Sequence, residues 1–366
     1  LNKNSVLAPV SKSREPQIVS AHQGRSAEVP GINEVAELAG VSTATVSRAL
    51  SGNGHVSPAT RARVQAAASE LGYVVSSNAS SLATGRMKNV GVVTPYLNRW
   101  FYGSVVEGAE QALLSHGYDL TLYNLSGGNN ERRSVFEHFL LRKRVDAVIA
   151  ISLELTPNEV NSLIDLGKPI VGIGGPLPGV RTLSIDDVAV ARLATEHLLS
   201  LGHRSIAHIG GTKESEMDFH LPTNRRVGYE TALEAVGISA DPQLFAAADF
   251  TMQGGYNAAK QLFGNPRKRP TAVFAASDEM AIGALLAARD MGLSVPQDIS
   301  IMGIDDHELS EFFGLSTVAQ YPDEQGHKAV EILMDQLHPG RREKGSLNTP
   351  LNYDLVVRSS TARPRN

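Results

Sequence analysis

Apolar positions recur along the chain in two rhythms. Over residues 33–50 they fall at helical spacing in two short runs, first Val35, Leu38 and Ala39, then Val46, Ala49 and Leu50. Gly40 between them suits a left-handed helix end, Val41 fills the corner, and Ser42 is a good N-cap for the second run. The pattern predicts two short helices meeting at a tight turn. Ser57 followed by Pro58 predicts the start of a third helix through Leu71, with Val64, Ala67 and Leu71 inward. From Asn89 onward, short apolar runs alternate with helical stretches. Strands are predicted near residues 90–94, 118–123, 146–151, 169–173, 205–209, 272–275 and 299–303. Helices are predicted over residues 102–116, 132–141, 188–201, 225–236 and 280–291. Alternation run through twice implies an α/β body of two lobes, each a doubly wound parallel sheet that binds ligands at the carboxyl ends of its strands.

The segments between these rhythms set the domain boundaries. Residues 1–30 are polar, aperiodic and broken by Pro9, Pro16 and Pro30, which reads as a disordered tail. Residues 31–73 hold the three helices, and the serine-rich residues 74–88 form a linker whose one large apolar residue before Met87 is Leu82. The body is expected over residues 89–358, with crossovers between lobes near residues 185 and 318, and residues 359–366 are expected as a second tail.

The first two helices suit a helix-turn-helix. The buried stripe would fix them at a steep angle, while Thr43, Ala44, Ser47 and Arg48 form a slim outer face that fits a major groove. The competing reading is a small helical corner of an ordinary core. Net charge is −4, so DNA affinity must come from a local surface. Between Gly31 and Tyr73 three arginines (Arg48, Arg61, Arg63) balance Glu34, Glu37 and Glu70, and the segment is formally neutral. Backbone donors at the helix starts capped by Ser42 and Ser57, and hydroxyls such as those of Thr43, Thr45 and Ser47, offer further phosphate contacts. A moderate salt dependence follows.

Composition excludes other classes. No apolar run approaches the roughly 18 residues of a membrane span, and residues 1–30 lack the apolar stretch of a secretory signal. With no cysteine there is no disulfide or thiolate metal site, and a cytoplasmic location is the simplest reading. Gly172-Ile-Gly174-Gly-Pro-Leu177 has leucine where a dinucleotide fingerprint needs glycine. Gly210-Gly-Thr-Lys213 lacks the spacing of a P-loop, and neither a Gly-x-Ser-x-Gly elbow nor a His-Glu-x-x-His motif occurs. Neither catalysis nor a cofactor is expected.

Val35-Ala-Glu-Leu-Ala-Gly-Val-Ser-x-x-Thr-Val-Ser-Arg-x-Leu50, followed by a helix ending in Leu71-Gly-Tyr73, strongly resembles the headpiece of the lac repressor family of bacterial transcription regulators. The resemblance runs from Gly31 to about Val357. It implies an effector domain like a periplasmic sugar-binding protein, a homodimer on palindromic operator DNA, and a hinge whose leucine, matched by Leu82, wedges into the minor groove. The hinge departs from the family pattern at Val75, Ser76 and Ser80. The family's effector-gripping arginine and aspartate fall on Arg225, three residues before Gly228-Tyr229, and Asp305, at a strand end. A guanidinium fork and a carboxylate grip a vicinal diol from both sides; the alternative is that the two pair only with each other. Trp100 or Phe101 is expected to stack on a sugar or base, the other serving the core equally well. Ser277 stands where the family usually has asparagine, and Gln320 is placed on a returning crossover facing the cleft. A sugar, polyol or nucleoside is the expected effector; the runner-up function is a sugar-binding protein without regulatory role.

Overall fold

In the computed structural model, residues 30–51, 55–73, 86–125, 129–140, 144–153, 155–165, 167–212, 220–338 and 346–365 are described. The chain divides into two units, Leu1–Thr84 and Gly85–Asn366. The expected tail over 1–30 and the Leu82 hinge lie outside the described residues, apart from Pro30.

The first unit carries α1 (Ile32–Ala39), α2 (Thr43–Ser51) and α3 (Pro58–Leu71). Glu34 accepts the Gly31 N–H at 2.9 Å, and Gly40, at φ 64°, closes α1 in the left-handed region. Ser42 Oγ accepts the Thr45 N–H at 3.3 Å and Ser57 Oγ that of Thr60 at 3.2 Å, so both predicted caps form. The small core contains Val35, Ala36, Ala39, Val46, Ala49, Val64, Ala67 and Ala68, with Leu71 packed against it. Leu38, expected inward, is 47% exposed; Ala36 takes its place because the face turned to α3 runs through 35, 36 and 39.

The second unit opens with β1 (Asn89–Thr94), α4 (Trp100–Ser115), β2 (Asp119–Asn124), α5 (Asn129–Ser134) with a π-helical turn at Val135–Phe139, and β3 (Ala147–Ile151). α6 (Pro157–Asp165), β4 (Ile170–Ile173) and β5 (Arg181–Ser184) complete the first pass. The second pass is α7 (Asp187–Ser200), β6 (Ile206–Gly210), α8 (Leu221–Glu234), β7 (Phe245–Ala247), α9 (Met252–Phe263), β8 (Ala272–Ala275), α10 (Asp278–Asp290), β9 (Ser300–Asp305), α11 (Ser310–Phe313) and β10 (Ser316–Ala319). α12 (Pro322–Leu337) returns to the first lobe, and β11 (Asn348–Pro350) and β12 (Asp354–Val356) end the chain.

Two six-stranded sheets result, in the orders β11-β5-β4-β3-β1-β2 and β12-β10-β9-β8-β6-β7. All pairs are parallel except β10 with β12. The central strands β1, β3 and β4 of one sheet and β6, β8 and β9 of the other are largely apolar runs buried on both faces, as parallel sheets covered by helices require, whereas the edge strands are partly polar and exposed. The chain passes between lobes after β5, after β10 and again between β11 and β12, one crossing more than expected. The expected tail after residue 358 is instead part of the second lobe. Ser360 is buried, its carbonyl accepts the Ile301 N–H at 2.9 Å, its hydroxyl accepts the Ser316 N–H at 2.8 Å, and Ala362 O lies 2.8 Å from His203 Nε2. A polar sequence hid this role because the segment bonds through its backbone and serine hydroxyls rather than through apolar side chains.

Helix approach is closest between α4 and α12. A Cβ at Gly108 would lie 2.1 Å from Asp323 O, and one at Gly326 would lie 2.2 Å from Val105 O, so neither position admits a side chain without parting the helices. None of the described helices is long and apolar enough to cross a membrane.

Candidate effector cleft and DNA-reading surface

The second unit holds a cavity of about 170 Å³ at the carboxyl ends of both sheets. Five of the six predicted effector residues, Phe101, Arg225, Ser277, Asp305 and Gln320, line it together. They come from α4, α8, the start of α10, the end of β9 and the crossover after β10, and only the paired-lobe topology brings them to one place.

Asp305 is buried and sits at φ 133°, in a region L-residues rarely adopt, with Asp306 following at φ 58°. The strained strand end turns its carboxylate into the cavity. Gln320 Nε2 donates to Asp305 Oδ1, and the Asp278 N–H approaches Oδ2 at 3.4 Å. Burial pushes the Asp305 carboxyl above its ordinary range; the Arg225 guanidinium opposes the rise and Asp278 adds to it.

Arg225 is 2% exposed. It pairs neither with solvent nor with Asp305 alone: Nε meets Asp187 Oδ1 at 2.8 Å and Nη1 donates to Ala276 O. Asp187, at the start of α7, also lines the cavity, and burial raises its carboxyl against the pull of Arg225. The guanidinium is therefore a fixed cation beside two buried carboxylates, an arrangement that sets hydrogen-bond donors and acceptors side by side.

Ser277 caps α10 through its hydroxyl, which the Met280 N–H approaches at 3.4 Å, while its neighbour Asp278 turns away from the cavity. Asp278 accepts the His307 N–H at 3.0 Å, Ser310 Oγ at 2.7 Å and Thr317 Oγ1 at 2.8 Å, a structural anchor for the loop after β9. Trp100 is a correction: it does not line the cavity. Its ring lies 4.7 Å from that of His307 at 30°, so it packs on the loop after β9, while Phe101, one residue on, lines the cavity. Successive residues at a helix start point about 100° apart, which allows one aromatic of the pair inside.

Sequence reading missed several lining groups, among them Tyr96, Arg99, Asp187, Asp249, Phe250, Glu279 and Gln325. Arg99 Nη2 donates to Asp249 O at 3.2 Å, joining loops from the two lobes. Burial raises the Glu279 carboxyl while Arg99 opposes it. The available signal was positional: Asp187, Asp249 and Glu279 all lie just after strand ends or crossovers, where doubly wound sheets place their ligands.

In the headpiece, Ser42, Thr43, Ala44, Ser47, Arg48 and Ser57 are exposed, and Thr45 is half-buried, its Oγ1 3.0 Å from Ser42 Oγ. Arg61 donates to Ala49 O at 2.5 Å and so ties α3 to α2. Of the headpiece arginines, Arg48 and Arg63 remain on the surface. The face of α2 opposite Val46 and Ala49 is thus the small, polar, singly cationic surface that the sequence implied.

A three-helix DNA-reading headpiece joined to a two-lobed ligand cleft defines a ligand-responsive bacterial transcription regulator. Residues 31–76 match the model of bacterial regulatory proteins of the lacI family, and residues 195–361 match that of a periplasmic binding protein-like domain. The HTH-type transcriptional repressor CytR of Escherichia coli (strain K12) is 34% identical over 335 residues, 90% of this chain and 96% of its own. Two solved structures agree. The lac repressor dimer bound to operator and the anti-inducer ONPF is 28% identical with a TM-score of 0.77, covering 91% of this chain and 99% of its own. The transcriptional regulator CelR–cellobiose complex is 32% identical with a TM-score of 0.65, covering 90% and 99%. The chain belongs to the lacI family of bacterial regulatory proteins.

Proposed function

We propose that the protein is a cytoplasmic repressor that binds a palindromic operator as a homodimer and answers to a small polyhydroxyl effector held between Arg225 and Asp305. The observation that carries this reading is the buried Asp187–Arg225–Asp305 set lining the cleft, in a chain that also exposes Thr43, Ala44 and Arg48 on a recognition helix. The cavity, of about 170 Å³, suits a small hydroxyl-rich molecule such as a monosaccharide. Phe101 and Phe250 supply apolar faces for a ring, and the carboxylates supply acceptors for its hydroxyls.

Two states account for control. Effector binding shifts the balance between them only by its differential affinity, and the lobes are the moving parts. A dimer is supported by the apolar surface of the second lobe, where Leu285, Leu286, Leu293 and Phe313 line a groove beside Phe312, which is 84% exposed. The test is a thermal-shift screen of pentoses, hexoses, polyols and nucleosides on the full chain, repeated on Asp305→Ala. The reading expects a compound that raises the parent's Tm and leaves that of Asp305→Ala in place. A compound that stabilises both equally binds elsewhere and sinks the site.

A further inference from the structure

The chain enters the body at Arg86, Met87 and Lys88, the last residues of the linker, and all three are held. Asp146, buried at the foot of β3, accepts the Met87 N–H at 3.0 Å on one carboxylate oxygen and the Lys88 N–H at 2.7 Å on the other. Lys88 O accepts the Asp119 N–H at 2.8 Å, and Lys88 Nζ lies 4.8 Å from the centre of the Tyr118 ring. Arg86 Nη2 donates to Leu337 O at 3.0 Å, the last residue of α12, and Nη1 lies 3.5 Å from His338 Nε2. His338 Nδ1 lies 3.0 Å from Met334 O, which can only accept, so the ring proton sits on Nδ1 and Nε2 faces Arg86 as an acceptor.

These contacts lie at the amino ends of β1, β2 and β3, the end of the sheet away from the cavity. α12 bridges the two ends. Near its start Gln325 lines the cavity and donates at 2.6 Å to Gln320 O, whose side chain holds Asp305. Its 16 residues span about 24 Å to Leu337. Its seat on α4, backbone against backbone at Gly108 and Gly326, leaves it little room to flex.

We propose that Arg86 and Asp146 are positioning residues for DNA binding: they fix the root of the linker to the body, and through α12 they tie that root to the effector cavity. This rests on the reading of the protein as an effector-controlled operator binder. A clamped root leaves fewer backbone degrees of freedom to be lost when the linker is ordered on DNA, and freeing about one residue costs about tenfold in affinity. Non-specific binding through the headpiece has no such requirement.

The test uses the full chain and a palindrome recovered with it by selection from random duplex DNA, beside a scrambled duplex of the same length. Arg86→Ala and Asp146→Asn are expected to lower affinity for the selected duplex about tenfold and to leave the scrambled duplex and the far-UV spectrum as in the parent. Arg86→Lys, which keeps a donor, is expected to recover part of the loss. A purely structural role would lower Tm and leave the affinity of the folded protein unchanged. Arg86→Ala forms no part of a strand, so it keeps the test open should Asp146→Asn fail to fold. Parent-like discrimination by a folded Arg86→Ala overturns the proposal. Failure of the parent itself to select any sequence overturns instead the operator-binding reading beneath it.

Discussion

Replacing Arg225 by methionine isolates the electrostatics of the cleft. Methionine keeps most of the volume and removes the cation that meets Asp187 at 2.8 Å, caps the strand end at Ala276 O and offsets the charge on Asp305. Both members of the pair are almost fully buried, so solvent screening does not soften the loss. Removing one partner of a buried pair costs about 3–5 kcal/mol, because the remaining charge stays uncompensated. The loss has a defined pH dependence. Burial already raises the Asp187 carboxyl, and Arg225 is what holds it down. Without the arginine the folded-state value rises further above the unfolded value of about 3.9. The folded variant then binds protons that the unfolded chain releases, so its stability declines as pH rises above the ordinary carboxylate range. The deficit relative to the parent should be largest near pH 8 and should shrink towards pH 5. Urea melts followed through Trp100, the sole tryptophan and packed on His307, read this directly. A deficit under about 1 kcal/mol at pH 8, or one that grows on acidification, refutes the reasoning.

Further outcomes follow from the same geometry. The raised carboxyl of Asp305 costs the parent stability as pH climbs above the carboxylate range, so Asp305→Asn should flatten the pH–stability curve; an unchanged slope in matched melts would remove Asp305 as a source. Gly108→Ala drives a methyl to 2.1 Å from Asp323 O and should destabilise the protein by about 1–3 kcal/mol or more, read by calorimetry; a neutral effect would mean that α4 and α12 part easily. Arg48→Ala should cost about 1–3 kcal/mol on the selected operator and much less on random DNA, whereas equal losses on both would make Arg48 a phosphate contact only.

Much of the fold was legible because parallel strands buried on both faces write themselves as short apolar runs, as at Ala147–Ile151 and Ala272–Ala275. The elements that escaped have other physics. α9 carries Gly254 and Gly255, poor helix formers; Gly255 is required by the close approach to α10 and Gly254 by Asp249 against the helix start. α12 starts at Pro322 after Tyr321 at φ 50°, without a side-chain cap, so its beginning carries no N-cap signature. β5, β11 and β12 are three or four residues long and partly polar, below the length at which alternation can be read. In the site, Arg225 and Asp305 were reached through the family resemblance, and Gln320 through its place on a returning crossover. Asp187 and Glu279 were not reached, since a place near a strand end is their only mark, and the arginines that meet them, Arg225, 38 residues further on in the same lobe, and Arg99 in the other lobe, are distant in sequence. Trp100 looked like a ligand platform for the same reason: its partner, His307, is distant in sequence.

The most direct measurement is operator affinity with and without effector, on the parent and on Asp305→Ala side by side. A fluorescein-labelled selected palindrome is titrated with each protein, and anisotropy is recorded with the compound found by thermal shift absent and then saturating. A coupling of about 1–3 kcal/mol, a shift of roughly 5- to 150-fold in operator Kd, is expected for the parent. For Asp305→Ala the account predicts parent-like operator binding that the compound does not move. An equal shift in both proteins, or none in the parent, contradicts the claim that this cleft controls DNA binding.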